Sequence, residues 1–488
     1  MPPLSRPETA RSVTLPPRTA TVAARPDVLV VGGGPAGIGA ALGAARAGAD
    51  VVLVERYGFL GGNATVALVM PWMSFHTSRG RPPDLGGVGL MPQDHGEGEP
   101  VVAGAHVELI ERLVAAGGAV PPSPATGYTV PFDPEAFKTL ALDVLDEAGV
   151  TLLLHAFASG VVDVSGDRTV VLETKSGPLV VQPAAVVDAT GDGDVAAAAG
   201  ADFALGREAD GLVQPMTLMF RMADFDRTAF EAYVRRHPDQ WRGVHGLGDL
   251  VAKATAEGRL DLPREDVLFF GTPHEREVAV NSSRVTGVLG IDAWELSRAE
   301  TIARRQVDQI ARFLHDDVPG FADSYLVQSG VGIGVRETRR IVGEYVLTGD
   351  DVLGARKFSD VIARGTYPVD IHDPEGRGTV LRTVPEGDAY DIPLRCLLPR
   401  DVDGVLVAGR CISGTHEAHS SYRVTPTAMA TGQAAGVCGA LAAARGVAPR
   451  DVPAEAVQTA LLEQGADLGE RVAAQRRGGS RHPPVSPL

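Results

Sequence analysis

The sequence predicts an α/β fold in which a Rossmann-like dinucleotide-binding unit is interrupted by an α+β domain. Three observations point to it. Asp27-Val-Leu-Val-Val-Gly-Gly-Gly-Pro-Ala-Gly37 is answered by Val51-Val-Leu-Val-Glu55, giving a β-branched strand, a turn with three spaced glycines, an Ala-rich helix and a strand ending on an acid. An apolar run at 184–187 leads into a second glycine-rich turn, Asp188-Ala-Thr-Gly-Asp-Gly193. Much later, a strand at 404–409 delivers the chain to a helix of small residues starting near Pro426.

In the first unit, Gly32 permits the tight turn and Gly34 lets the backbone approach a pyrophosphate, while Gly37 lets the helix lie close to its strand. Amides at the helix start, around Pro35 and Ala36, attract phosphate, and Glu55 can accept hydrogen bonds from a ribose diol. The neighbouring Arg56 keeps a ribose 2′-phosphate from being ruled out. Residues 28–45 carry no charge, yet their glycines and Pro35 make the stretch small rather than oily, which argues against a membrane span. The loop 56–65 holds Gly61, Gly62 and Asn63, and its paired glycines suit close approach to a flat ligand.

A helix is predicted over 102–116, and another opens with Asp133 as N-cap and Pro134 in its first position. Strands follow at 151–154, 160–164, 169–174 and 179–182 as an antiparallel meander, and 184–194 returns to the parent sheet. Within 206–395 the pattern changes to helices at 227–236 and 293–315 and strands at 267–270 and 277–280, read as an inserted substrate domain. The cofactor domain then comprises 25–205 and 396–446. Residues 1–24 read as a disordered extension without a secretory h-region, and 447–488 as a closing helix over 453–475 with a disordered tail.

The 488 residues carry a net charge of −16 with no basic stripe, which argues against nucleic acid as a partner. Cys396, Cys411 and Cys438 fit neither a disulfide framework nor a redox pair, and three thiols fall short of an iron–sulfur cluster. A cytoplasmic protein with a small-molecule substrate and no membrane partner is expected, and a homodimer is left open.

Together Gly32-Gly-Gly-Pro-Ala-Gly37 with Glu55, Leu60-Gly-Gly-Asn63, Asp188-Ala-Thr-Gly-Asp-Gly193, Gly334-Val-Arg-Glu-Thr-Arg-Arg340 and Val407-Ala-Gly-Arg-Cys-Ile-Ser-Gly-Thr-His-Glu-Ala-His419 resemble the FAD-dependent oxidoreductases related to heterodisulfide reductase A-like flavoproteins. The resemblance implies a glutathione-reductase-type FAD domain and non-covalent FAD. It places Gly32, Gly34 and Gly37 on the pyrophosphate, Glu55 on the adenosine ribose, and Arg56, Gly61, Gly62 and Asn63 along the cofactor. Ala158 would meet adenine, Ala189, Thr190 and Gly191 the AMP half, Gly409 and Arg410 the ribityl and pyrophosphate, and Thr425 to Thr427 the flavin pyrimidine edge. Heterodisulfide chemistry is not implied, because the cysteine-bound clusters of those relatives have no counterpart here.

For catalysis, Thr415-His-Glu-Ala-His-Ser-Ser-Tyr-Arg423 is the densest ionisable set. His419 is the candidate proton shuttle and Arg423 the group that orients a carboxylate or enolate. Equally, His416, Glu417 and Arg423 could hold the cofactor loop. Two histidines without a third ligand argue against zinc. Tyr367 and His372 form a second candidate pair covering the flavin from the substrate side. Arg336, Arg339 and Arg340 with Glu337 and Glu344 read as a salt-bridged helix face or, alternatively, a substrate clamp, and Trp72, Phe75 and His76 as pocket or core. The leading reading is hydride exchange between flavin N5 and a small organic substrate. The alternatives are a flavin monooxygenase and a redox-neutral isomerase or cyclase that uses FAD as a scaffold.

Overall fold

The computed structural model describes residues 13–78, 88–92, 98–164, 167–375 and 378–479, with the backbone alone at 167 and 475–479. Its centre is a five-stranded parallel sheet in the spatial order Val405–Val407, Ala185–Asp188, Val28–Val31, Val51–Val54, Thr151–Leu153. Three of these strands are short runs of valine and leucine buried on both faces, as a covered parallel sheet requires. The returns expected at 184–194 and 404–409 therefore both join the parent sheet.

Two helices cover one face. Pro35–Arg46 and Thr425–Arg445 lie against each other closely enough that a Cβ on Gly432 would come within 1.9 Å of the Ala36 carbonyl oxygen, and one on Gly436 within 1.9 Å of that of Ala40. The small-residue character of both helices follows from this approach. Helix Ala105–Ala115 and helix Pro134–Glu147, the latter capped by Asp133 as expected, complete the layer.

A second sheet runs Thr21–Ala24, Gly177–Val181, Asp167–Thr174, Ala156–Val164. The expected meander is present, with one correction: Thr21–Ala24 is a parallel edge strand, not part of a disordered extension. Residues 1–12 and 480–488, where disorder was also expected, lie outside the described residues. The closing helix is two, Ala454–Glu463 and Glu470–Gly479, because the chain turns through Gly465 and Gly469 with φ 79° and 83°.

A six-stranded antiparallel-paired sheet, Trp241–Arg242, His245–Gly246, Val267–Gly271, Glu277–Val280, Phe220–Ala223, Tyr325–Ser329, packs with helix Ala293–Asp317 around a separate aromatic core of Phe225, Phe230, Phe269 and Phe321. That core draws its residues from 88–90 and 216–333, whereas buried side chains from Ile341 to Leu398 belong to the core of the parallel sheet. The packing thus departs from the expected division at 395: the chain re-enters the first body near Arg339–Ile341, a strand paired with Phe203–Leu205. The helix face expected around 334–340 is this loop and strand instead.

Candidate active site

Two cavities meet beside the helix Thr425–Arg445. The first follows the glycine turns. Gly33 donates its amide to Glu55 Oε2 at 2.6 Å and Tyr57 donates to Glu55 Oε1 at 2.9 Å, so the buried carboxylate is fixed before any ligand arrives. A Cβ on Gly37 would lie 1.7 Å from the Gly32 carbonyl oxygen, which is the close packing of helix on turn that the spacing predicts. The second loop is tied down by Gly61 donating to the Gly33 carbonyl at 2.8 Å, and Asn63 Nδ2 donates to the Val335 carbonyl at 3.1 Å.

Asp188 shapes the third wall. Its carboxylate accepts from the Thr190 amide and hydroxyl and from the Ala196 amide, at 3.0, 2.7 and 2.9 Å. Burial pushes it up to about 6 despite those bonds. Arg410 donates to Asp192 Oδ1 at 2.8 Å, closing the turn from the strand Val405–Val407.

Of the residues expected at the cofactor, Gly32, Gly34, Pro35, Ala36, Glu55, Arg56, Gly62, Asn63, Ala158, Ala189, Thr190, Gly191, Gly409, Arg410 and Thr425 line this one cavity. Gly37, Gly61 and Thr427 do not line it: the first two are buried behind its turns, and Thr427 sits between the lining residues Thr425 and Ala428. One feature suits a dinucleotide: the helix starting at Pro35, whose first residues line this cavity, has no side chain capping its amides.

The second cavity shares Asn63, Val335, Arg410, Arg423 and Thr425 with the first. Its apolar wall includes Met70, Trp72, Met219, Leu268 and Phe270, so Trp72 serves both pocket and core. Its polar residues centre on Asp370 Oδ2, which accepts from the Tyr367 hydroxyl at 2.9 Å and lies 3.4 Å from His372 Nε2 and 3.6 Å from Arg423 Nη2. Burial alone would raise the Asp370 carboxyl. The His372 bond and charge, the Arg423 charge and the Tyr367 hydroxyl outweigh burial and hold it below the usual carboxylate range. His372 is pushed down to about 4 by desolvation and by Arg336, and is therefore neutral at neutral pH. Desolvation, then the charges of Arg423 and Arg284, push Arg336 down to about 9, still a cation at neutral pH.

Tyr367, His372 and Arg423 thus come together as a group: Tyr367 just before the strand Val369–His372, His372 at its end, and Arg423 at the end of helix His416–Tyr422. His419 does not join them. It faces into the protein with no exposure, lines neither cavity and bonds through neither ring nitrogen. Desolvation and the charges of Arg340, Arg423 and Arg410 drive it well below its ordinary value, so it has no path by which to shuttle a proton. His416 instead meets the buried Glu337 through Nδ1 at 2.9 Å. Glu337 also holds Arg340 and accepts from the Gln214 amide at 3.0 Å. This set, which includes neither Glu417 nor Arg423, ties the segment before the long helix to residues 337–340. Sequence reasoning passed over Asp370; its alternation with His372 on a strand ending at the cavity was the available signal.

Residues 27–461 match the family described as FAD dependent oxidoreductase. No curated protein matches the sequence. Among solved structures, a geranylgeranyl bacteriochlorophyll reductase-like protein from Thermoplasma acidophilum is similar at 14% identity and a TM-score of 0.42, over 93% of this chain and 84% of that one. An anhydrotetracycline hydroxylase from Streptomyces rimosus is similar at 15% identity and a TM-score of 0.40, over 90% and 66%. A Diels-Alderase of pyrroindomycin biosynthesis is similar at 14% identity and a TM-score of 0.40, over 92% and 72%. With the match covering most of its length, the chain belongs to the FAD dependent oxidoreductase family and is an enzyme whose cofactor is FAD.

Proposed function

We propose that the enzyme is a dehydrogenase or reductase that exchanges a hydride between flavin N5 and a small organic substrate seated in the second cavity. The observation that supports this reading most is the shared wall: Asn63, Val335, Arg423 and Thr425 border both the cavity lined by the glycine turns and the cavity holding Tyr367, Asp370 and His372. The parallel sheet with its antiparallel meander fits the glutathione-reductase-type arrangement that the motifs resemble, and the aromatic second core is assigned to the substrate side.

FAD, when bound, supplies the two-electron acceptor or donor. The chain supplies position and protons. In the oxidative direction a substrate carbon gives up its hydrogen with both electrons, the proton of the adjoining O–H or N–H passes to the Tyr367, Asp370 and His372 array, and the carbon–heteroatom bond becomes double. Asp370 fixes the orientations of Tyr367 and His372, and a neutral imidazole is the form able to take a proton. The apolar wall of Met70, Trp72, Met219 and Phe270 excludes water.

The test is anaerobic mixing of the FAD-loaded enzyme with panels of small alcohols, amines and saturated acids, or of the reduced enzyme with the corresponding unsaturated compounds. Bleaching or return of the oxidised flavin band supports the proposal. Product formed without any flavin change would replace it with a redox-neutral isomerase or cyclase, and product formed only with oxygen and NADPH would replace it with a monooxygenase.

A further inference from the structure

The charges around the second cavity do not balance. Arg410 is paired with Asp192 at 2.8 Å, and Arg423 faces Asp370, whose carboxylate is already shared with His372 and Tyr367. Arg336 is different. Its Nη1 donates to the Pro215 carbonyl at 2.6 Å and to the Thr217 hydroxyl at 2.7 Å, both neutral, and among the described residues it makes no ion pair. Among the described residues its Nε and Nη2 donate to no protein group, and both keep accessible surface, so this edge of the guanidinium is open to the cavity it lines. Arg284, whose Nη2 lies 3.4 Å from His372 Nδ1, adds positive charge nearby.

A guanidinium fixed by neutral acceptors on one side and open along its Nε and Nη2 edge offers two parallel N–H donors. That edge matches the two oxygens of a carboxylate side-on. A cation in a largely apolar pocket is costly without a counter-charge, so a ligand that provides one is favoured over a neutral ligand of the same shape. Arg336 itself presents one positive charge to the ligand, and the surrounding wall of Met70, Trp72, Met219, Val244 and Phe270 is apolar.

Resting on the reading that the second cavity seats the substrate, we propose that the substrate is a singly charged organic carboxylate with an apolar body, its carboxylate held side-on by Arg336. Arg336 is then the residue that sets the substrate class.

The experiment uses the purified holoenzyme and calorimetric titration with four probes, octanoate, benzoate, phenylacetate and phenyl phosphate, and with the amides of the three acids. At least one acid is expected to bind about tenfold or more tightly than its amide. In Arg336→Gln that acid should lose roughly 10- to 100-fold in affinity while its amide is unaffected, with partial retention in Arg336→Lys. FAD content should equal that of the unaltered enzyme in both variants. The proposal is overturned if no acid outbinds its amide, if the preference survives in Arg336→Gln, or if phenyl phosphate binds more tightly than every acid. Loss of FAD from both variants would also overturn it by assigning Arg336 to the cofactor. Because binding is read without turnover, these results are independent of whether any compound reduces the flavin, so a failure of the hydride reading would be seen separately.

Discussion

The cavity lined by the glycine turns and the cavity beside it are built by different means. The first is made of backbone: turns at Gly32 to Gly37, Gly61 to Asn63 and Ala189 to Gly191, held by main-chain bonds and by two carboxylates, Glu55 and Asp188, that accept from amides. The second is made of side chains, Trp72, Met219, Phe270, Arg336, Asp370, His372 and Arg423, brought from six separated stretches of chain. A backbone site tolerates almost no added atom but little depends on any one functional group. A side-chain site tolerates substitution of shape and loses its chemistry with a single group.

The largest effect expected from that difference is at Gly37. A methyl group there would lie 1.7 Å from the Gly32 carbonyl oxygen, a clash with main-chain atoms that no side-chain rotation relieves. Gly37→Ala should leave little or no bound FAD and should destabilise the fold by roughly 3 kcal/mol or more, read by flavin absorbance and by denaturant unfolding. A variant that binds FAD normally would break the distinction between the two cavities. Asp370→Asn comes next. It should keep full FAD content while slowing flavin reduction by a limiting substrate about 10²- to 10⁴-fold in rapid mixing.

His106 tests the support beneath the second cavity. It packs against Trp72 and Phe75 with ring-centroid distances of 5.4 and 5.3 Å, and neither of its nitrogens is bonded. Desolvation and the nearby His76 push it down to about 3 from 6.5, so between these values the unfolded chain binds a proton that the folded one does not. Its contribution to stability is present above 6.5 and is lost as pH falls towards its folded value. His106→Phe should therefore gain on the unaltered protein as the solution is acidified, by roughly 3 kcal/mol at about pH 4 in urea titrations, with little difference near neutrality. The smallest change is expected for Glu55→Gln, which keeps one acceptor oxygen for the Gly33 or Tyr57 amide: FAD affinity should fall about tenfold, with the dependence on Asp370 unchanged.

The contrast also explains what could be read from sequence. Turns that need glycine announce themselves locally, so the strands, the first helix and the glycine turns of the first cavity were legible from spacing, and most of its other lining residues through the family resemblance. The side-chain cavity has no local signature. Arg336 stood in a run of charges whose other arginines are paired with Asp194 and Glu337, and only the fold separates it from them. His416 and His419 look equivalent in the string Thr-His-Glu-Ala-His, yet the short helix His416–Tyr422 sets His416 against Glu337 and buries His419 with neither ring nitrogen hydrogen-bonded. Asp370 gains its role from Tyr367 and Arg423, which approach it through tertiary packing. The return of 341–398 to the first core was equally hidden, since it depends on pairing with the distant strand Phe203–Leu205.

The measurement that bears most directly on the central claim is a crystal structure of the FAD-loaded enzyme soaked with a carboxylate that binds it. The account predicts the dinucleotide along the glycine turns, the reactive edge of the flavin ring at the wall of Asn63, Val335, Arg423 and Thr425, and the carboxylate within hydrogen-bond reach of Arg336 on the far side of that wall. A flavin ring directed away from the second cavity, or a ligand bound elsewhere, would contradict it.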